Sequence, residues 1–151
     1  MAYPLRVFSE GTALIGATDG IVKIADSGIF TAGIFGKALL GGRCDPTLAI
    51  QAIAYRIVGC GTFSDVYELF KTERECKPWQ ESQVVQFWRD GHANMFCLGG
   101  YGVFFKLRRN IVGMYVNHLM QPYVHVHKLT DSKIWDDSSL IRFLVPRPTI
   151  Q

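Results

Sequence analysis

The stretch NIVGMYVNHLMQPYVHVHKL, residues 110–129, is rich in β-branched and aromatic residues that follow a period of two, and it contains a Gln121-Pro122 turn signal. This period is typical of β-strands, and two such runs around a turn are typical of a hairpin. The same pattern continues in YGVFFKL, residues 101–107, and LIRFLV, residues 140–145. We therefore predict an antiparallel β-meander from Asn94 onward, with NMFCL, residues 94–98, as its first strand.

Three helices are predicted before the meander. The first runs from about Pro46 to Val58, because Asp45 can cap a helix and proline is favoured at the first helical position. The second starts at Thr62, where TFSD has the spacing of a capping box. The third lies within PWQESQVVQFWRD, residues 78–90, and ends before Gly91, because glycine is common just beyond a helix.

The first third of the chain contains short apolar runs separated by glycine-containing turns such as Asp19-Gly20. Asp-Gly between apolar runs favours a hairpin, because glycine tolerates the positive φ that such turns need. We predict a short glycine-rich β-hairpin region here. With 151 residues, the chain has the length of one domain, so residues 1–151 are predicted to form a single α+β domain with helices packed on antiparallel sheet.

The composition favours a protein partner or a homo-oligomer. The chain is 48% hydrophobic and only 19% charged, which is low for a small protein with much surface to cover. Trp79, Trp88 and Trp135 are predicted to be exposed aromatic side chains that contact the partner. These features suggest an interaction or assembly subunit, such as a viral or phage protein.

Other classes are disfavoured. A net charge of +3 is small for a nucleic-acid-binding protein, and the basic cluster Lys106, Arg108 and Arg109 is predicted to lie at a hairpin tip. The sequence contains neither a secretory signal nor an apolar run long enough to span a membrane. The four cysteines form no C-x-x-C pair, so we expect free thiols and a cytoplasmic location.

Two histidines in YVHVHKL, residues 123–129, are candidate metal ligands. Strand alternation places His125 and His127 on one face, with Val124 and Val126 on the other. A tight turn at Gln121-Pro122 would place His118 opposite His125 and bring three imidazoles together. His118, His125 and His127 could then bind zinc. The alternative is that the histidines lie on an ordinary strand surface, and we expect no cofactor.

Cys44 is a candidate nucleophile. The stretch CDPTLA, residues 44–49, resembles the Cys-Gly-Pro-Thr stretch of papain-like peptidases, in which the cysteine opens a central helix. The resemblance implies Cys44 as nucleophile, His92 as base, and Asn110 or Asn117 as the residue that orients the histidine. A helix N-terminus and the nearby Arg43 would both favour the thiolate.

The sequence therefore leaves three hypotheses for the function. An interaction or assembly subunit is the first. A cysteine hydrolase that uses Cys44, His92 and Asn110 is the alternative. A metal-binding protein that uses His118, His125 and His127 is the second alternative.

Overall fold

A computed structural model describes residues 4–33, 36–73 and 77–147. Within these residues the chain forms an α+β structure with nine strands and three α-helices. The strands are β1 (Arg6–Ile15), β2 (Phe30–Thr31), β3 (Ile50–Val58), β4 (Cys60–Gly61), β5 (Gly102–Lys106), β6 (Asn110–Val116), β7 (Pro122–Lys128), β8 (Trp135–Asp136) and β9 (Ile141–Pro146). The helices are α1 (Phe63–Glu73), α2 (Glu81–Arg89) and α3 (His92–Phe96).

Seven strands form one sheet in the order β1-β3-β9-β5-β6-β7-β2, and β4 pairs with β8 in a separate ribbon. Most pairs in the large sheet are antiparallel, whereas β5 and β9 are parallel, as are β2 and β7. The predicted strands from Gly102 onward are confirmed, but the predicted antiparallel meander is wrong, because β9 pairs in parallel with β5 and does not follow β7 in the sheet. None of the helices in the described ranges has the length and apolar character needed to span a bilayer.

Helices cover both faces of the sheet. On one face, α2 and α3 contribute Phe87 and Phe96 to a core that includes Val112 and Val124. On the other face, α1 contributes Phe63, which belongs to a second core with Phe104, Phe143 and Trp135. Alternate residues of β7 point to the two opposite clusters. Val124 and Val126 belong to the first cluster, whereas His127 contacts Phe63 of the second. The predicted alternation of β7 is therefore confirmed.

Two of the three predicted helices are confirmed. The Thr62 hydroxyl accepts a hydrogen bond from the Asp65 amide at 3.3 Å, while the Asp65 carboxylate accepts one from the Thr62 amide at 2.9 Å. This reciprocal pair satisfies two backbone donors that a helix start leaves free. The third predicted helix begins at Glu81 rather than at Pro78, because Gln80 is the capping residue.

The predicted helix at residues 46–58 is wrong, because this stretch contains strand β3. β3 lies between β1 and β9, and both of its faces are covered: Ala54 packs in one core and Ile57 in the other. For this reason, apolar residues occur at successive positions of β3 and not only at every second one. The predicted strand at residues 94–98 is also wrong, because most of it belongs to helix α3.

The predicted N-terminal hairpin is not found in the described residues. β1 is one long strand that pairs with β3, and its register shifts between Ser9 and Gly11, so that Glu10 forms a bulge. Thr18 forms a bridge with Thr47, and the chain after the Asp19-Gly20 turn continues to a short 3-10 helix at Ile24–Asp26 rather than back along β1.

The predicted register of β6 and β7 is wrong as well. His125 lies opposite Gly113, not opposite His118, and Val116 lies opposite Pro122. The connection is therefore longer than a tight turn at Gln121-Pro122. The Asn117 carboxamide oxygen accepts hydrogen bonds from the amides of Leu119 and Gln121, at 2.9 and 3.0 Å, and holds the turn together.

Candidate functional site

His127 is the more enclosed of the two histidines in β7. Its ring contacts the rings of Phe63, Phe104 and Trp135, with centroids 5.3 to 5.9 Å away. Its Nδ1 lies 3.8 Å from a carboxylate oxygen of Asp131, and its buried Nε2 has no hydrogen-bond partner among the described residues. Burial lowers the pKa of His127, and the Asp131 carboxylate opposes this effect.

His125 lies in a more open group of aromatic side chains. Tyr115 and Tyr123 stack with centroids 5.6 Å apart, and each lies edge-on to the His125 ring at 5.8 Å. Burial is the main reason that the pKa of Tyr115 rises to about 12. Tyr115 is therefore protonated at neutral pH and acts as a packing residue rather than as a base.

The described residues do not assemble the predicted three-histidine site. His118 is exposed in the turn between β6 and β7, while His125 and His127 have ring centroids 6.4 Å apart on the α1 face. No group of three His, Cys, Asp or Glu side chains in the described ranges is arranged to hold a metal ion. Zinc binding by His118, His125 and His127 stays a prediction.

Cys44 and Asn110 line the same cleft, which has a volume of about 640 Å³. The cleft lies between the loop at residues 38–45 and the tip of the β5–β6 hairpin at residues 107–110. Two of the three residues that the peptidase resemblance implied therefore line one cleft. Asn110 is already engaged there, because its side-chain amide donates to the Leu39 carbonyl at 2.6 Å.

His92 has a different environment. Its Nε2 lies 2.7 Å from the Leu14 carbonyl oxygen, and its ring contacts Phe87, with centroids 5.5 Å apart. His92 is not among the residues that line the cleft with Cys44. The expected helix after Cys44 is also missing, so no helix N-terminus lies there to favour its thiolate. Asn117, the alternative orienting residue, lies in the β6–β7 turn.

The tryptophans are not the exposed residues that we predicted. Trp79 is 2% exposed and Trp135 is 4% exposed, while Trp88 is half-buried against the core of the α2 face. The Trp79 indole donates a hydrogen bond to the Leu144 carbonyl at 2.7 Å. Trp79 and Trp135 therefore stabilise the fold and are not available to a partner.

Other apolar side chains are exposed at one end of the sheet. β5 and β9 begin at this end, and β6 ends there. The same end therefore contains Leu98 before β5, Leu140 before β9, and the β6–β7 turn with Leu119 and Met120. Their exposed fractions range from 43% to 66%. We call Leu98, Leu119, Met120 and Leu140 the apolar end.

Met120 and Leu140 also share an unusual backbone conformation. Their φ angles are 60° and 54°, and they are the two non-glycine residues with positive φ in the described ranges. The sequence gives no signal for this conformation, because asparagine or glycine is the usual residue in it. Two adjacent apolar residues in a turn, Leu119 and Met120, are the sequence signal for a surface at this end.

The cleft and the apolar end lie at opposite ends of the strands, because β5 runs from Gly102, next to Leu140, to Lys106, next to the hairpin tip. The described part of the chain thus has two candidate sites of different chemical character. No protein-family model, no curated protein and no solved structure matches the chain.

Proposed function

We propose that this protein is an assembly subunit that packs against a second copy of itself through the apolar end. The observation that carries this proposal is the backbone conformation of Met120 and Leu140. A left-handed conformation in a bulky residue costs of order 1–3 kcal/mol, and such strain is concentrated at functional sites. Here the strain holds two apolar side chains at the surface, where burial in the monomer does not repay it.

The absence of charge supports a second copy as the partner. Residues 98–101, 117–121 and 140 include Leu, Met, Tyr, Asn, Gln, Gly and His, and none is Lys, Arg, Asp or Glu. Interface cores are depleted in charged residues and enriched in Met and Tyr. These uncharged residues do not repel the same residues of a second copy, and two-fold dimers bring the same patch of each subunit together.

Light scattering coupled to size-exclusion chromatography tests the proposal. With rising concentration, we expect the mass to change from that of one 17.0 kDa chain to twice that value. The double variant Met120→Asn and Leu140→Asn should remain monomeric. Asparagine accepts the left-handed conformation, so the double variant should keep the fold while it loses the apolar contacts.

Leu48→Asn is the matched control, because Leu48 is 87% exposed and lies far from the apolar end. Leu48 precedes β3, whose start pairs with the end of β9, whereas the apolar end is where β9 and β5 begin. This variant should dimerise like the unmodified protein. The proposal fails if the unmodified chain stays monomeric at all concentrations. It also fails if the double variant has an unchanged melting temperature and still forms dimers.

A further inference from the structure

The cleft at the hairpin tip is preformed by hydrogen bonds to the backbone of its loop. Glu81 is buried, and its carboxylate accepts from the Gly41 amide at 2.7 Å and from the Ile24 amide at 3.2 Å. The side-chain oxygen Oε1 of Gln80 accepts from the Asp45 amide, and the side-chain amide of Asn110 donates to the Leu39 carbonyl. Because both ends of the loop are held, a ligand would lose little affinity to loop ordering.

The lining of the cleft has an apolar part and a charged part. Leu40, Pro78 and Leu107 form an apolar wall, and the buried Trp79 also lines the cleft. A volume of about 640 Å³ is sufficient for a small organic molecule rather than for a single ion.

Two of the guanidinium groups that line the cleft have no ion-pair or hydrogen-bond partner among the described residues. Arg43 pairs with Asp45 at 3.1 Å, and both oxygens of Glu81 accept backbone hydrogen bonds. Arg108 and Arg109 are exposed at the hairpin tip, and neither side chain forms an ion pair or hydrogen bond with another described residue. Three arginines against two carboxylates give the lining a net positive charge.

We infer that this cleft binds a small organic phosphate, whose phosphate group pairs with Arg108 and Arg109 and whose apolar body lies against Leu40, Pro78 and Leu107. The planar guanidinium group matches the oxygens of a phosphate in paired hydrogen bonds. A phosphate monoester carries a charge between −1.5 and −2 near neutral pH, which matches two free cations better than a single carboxylate does. This site is separate from the apolar end, so the inference does not depend on the proposed dimer.

Isothermal titration calorimetry at low ionic strength tests the inference. The probes are adenosine 5′-monophosphate, which combines a phosphate monoester with a flat apolar body, together with adenosine and inorganic phosphate. We expect the monophosphate to bind at least tenfold more tightly than adenosine, and more tightly than inorganic phosphate. Added salt should weaken its binding, because exposed charge pairs are screened.

Arg108→Gln and Arg109→Gln should each weaken binding of the monophosphate by about tenfold, the usual effect of losing one charge-assisted hydrogen-bonding group. Both positions are exposed at a hairpin tip, so the melting temperature should not change. Arg89→Gln is the matched control, because Arg89 is an exposed arginine of α2 that does not line the cleft.

Three results would overturn the inference. The first is equal affinity for the monophosphate and adenosine. The second is undiminished binding by a protein that carries both arginine substitutions, because the phosphate would then lie elsewhere. The third is the lack of measurable binding of the monophosphate at millimolar concentration.

Discussion

Gly113 and Phe104 are paired across β6 and β5, and the ring of Phe104 occupies the space that a side chain at position 113 would need. A second glycine has the same relationship with a neighbouring ring, because a Cβ atom at Gly102 would lie 2.6 Å from the ring of Tyr115. These two glycines allow large aromatic side chains to lie flat over the centre of the sheet. Gly113 also explains why His125, which lies opposite it on β7, has no side chain directly across from it.

Gly113→Ala should therefore destabilise the protein by about 1–3 kcal/mol, the usual effect of forcing extra volume into a packed core. Urea unfolding measured by tryptophan fluorescence would give this value. Gly42→Ala is the control, since a Cβ atom at Gly42 meets no other atom within 4 Å and its φ is not positive. Equal stability of the two variants would contradict the packing of the Phe104 ring against Gly113.

The free energy of unfolding should fall on mild acidification because of His127. Burial lowers the pKa of His127 in the folded state, so the unfolded chain binds more protons just below the ordinary histidine pKa of about 6.5. Stability is lost as the pH falls wherever the unfolded state binds more protons. The groups that face His127 are Asp131, His125 and Lys133, and of these only Asp131 favours the charged ring.

Urea unfolding between pH 7.5 and 5 measures this dependence. His127→Phe should reduce the slope, because a phenyl ring among Phe63, Phe104 and Trp135 has no proton to gain. His118→Gln should keep the slope, because His118 is an exposed turn residue. An identical slope in the unmodified protein and His127→Phe would exclude His127 as the responsible group.

Added zinc should leave the melting temperature unchanged above pH 7. A metal that binds only the folded state would raise it, but the described residues bring no third ligand to His125 and His127. Differential scanning calorimetry with and without zinc makes the measurement. A zinc-dependent rise that is lost in both His125→Ala and His127→Ala, but kept in His92→Ala, would instead support the metal-binding hypothesis.

Alkylation by iodoacetamide should distinguish the cysteines. Cys97 is buried and donates a hydrogen bond to the Met114 carbonyl, and burial raises its pKa to about 12, so it should react slowest. Cys60 is exposed and provides the reference for a solvent-accessible thiol. The hydrolase hypothesis requires Cys44 to react much faster than Cys60 near neutral pH, and equal rates would argue against it. Cys76 lies outside the described residues.

Glu81→Gln should lower the melting temperature, although it changes only one oxygen to an NH₂ group. An amide keeps one acceptor, so either the Gly41 or the Ile24 amide would lose its hydrogen-bond partner. An unsatisfied buried donor costs about 1–3 kcal/mol. Thermal unfolding followed by circular dichroism would show the loss, and Asp137→Asn at an exposed position provides a comparison. A melting temperature as high as that of the unmodified protein would show that Glu81 does not hold the loop.

The sequence was informative where local chemistry determines the structure. The Thr62 and Asp65 capping pair, the strands from Gly102 onward and the alternation of Val124, Val126 and His127 all depend on neighbours a few residues apart. Residues 50–58 were misassigned because a central strand buried on both faces lacks a period of two, and alanine-rich apolar runs also favour helices.

The sites were harder to predict, because they depend on residues far apart in the chain. The cleft combines the loop at residues 38–45, the start of α2 and a hairpin tip, and no local pattern connects these segments. The register between β6 and β7 depends on the Asn117 turn, which shifts the partner of His125 from His118 to Gly113. Because the turn is longer than predicted, the register changes and the predicted set of three histidines does not come together.

The bulge in β1 has a consequence for the behaviour of the protein at high concentration. β1 is the edge of the sheet, and long regular edge strands can recruit strands from other molecules and start aggregation. Glu10 interrupts the regular spacing of this edge in its middle, and its carboxylate is held by Arg56 and Arg142, at 2.9 and 3.0 Å. A foreign strand can align with only part of β1, so we expect the bulge to hinder edge-to-edge pairing between copies of a chain that has few charges to keep them apart.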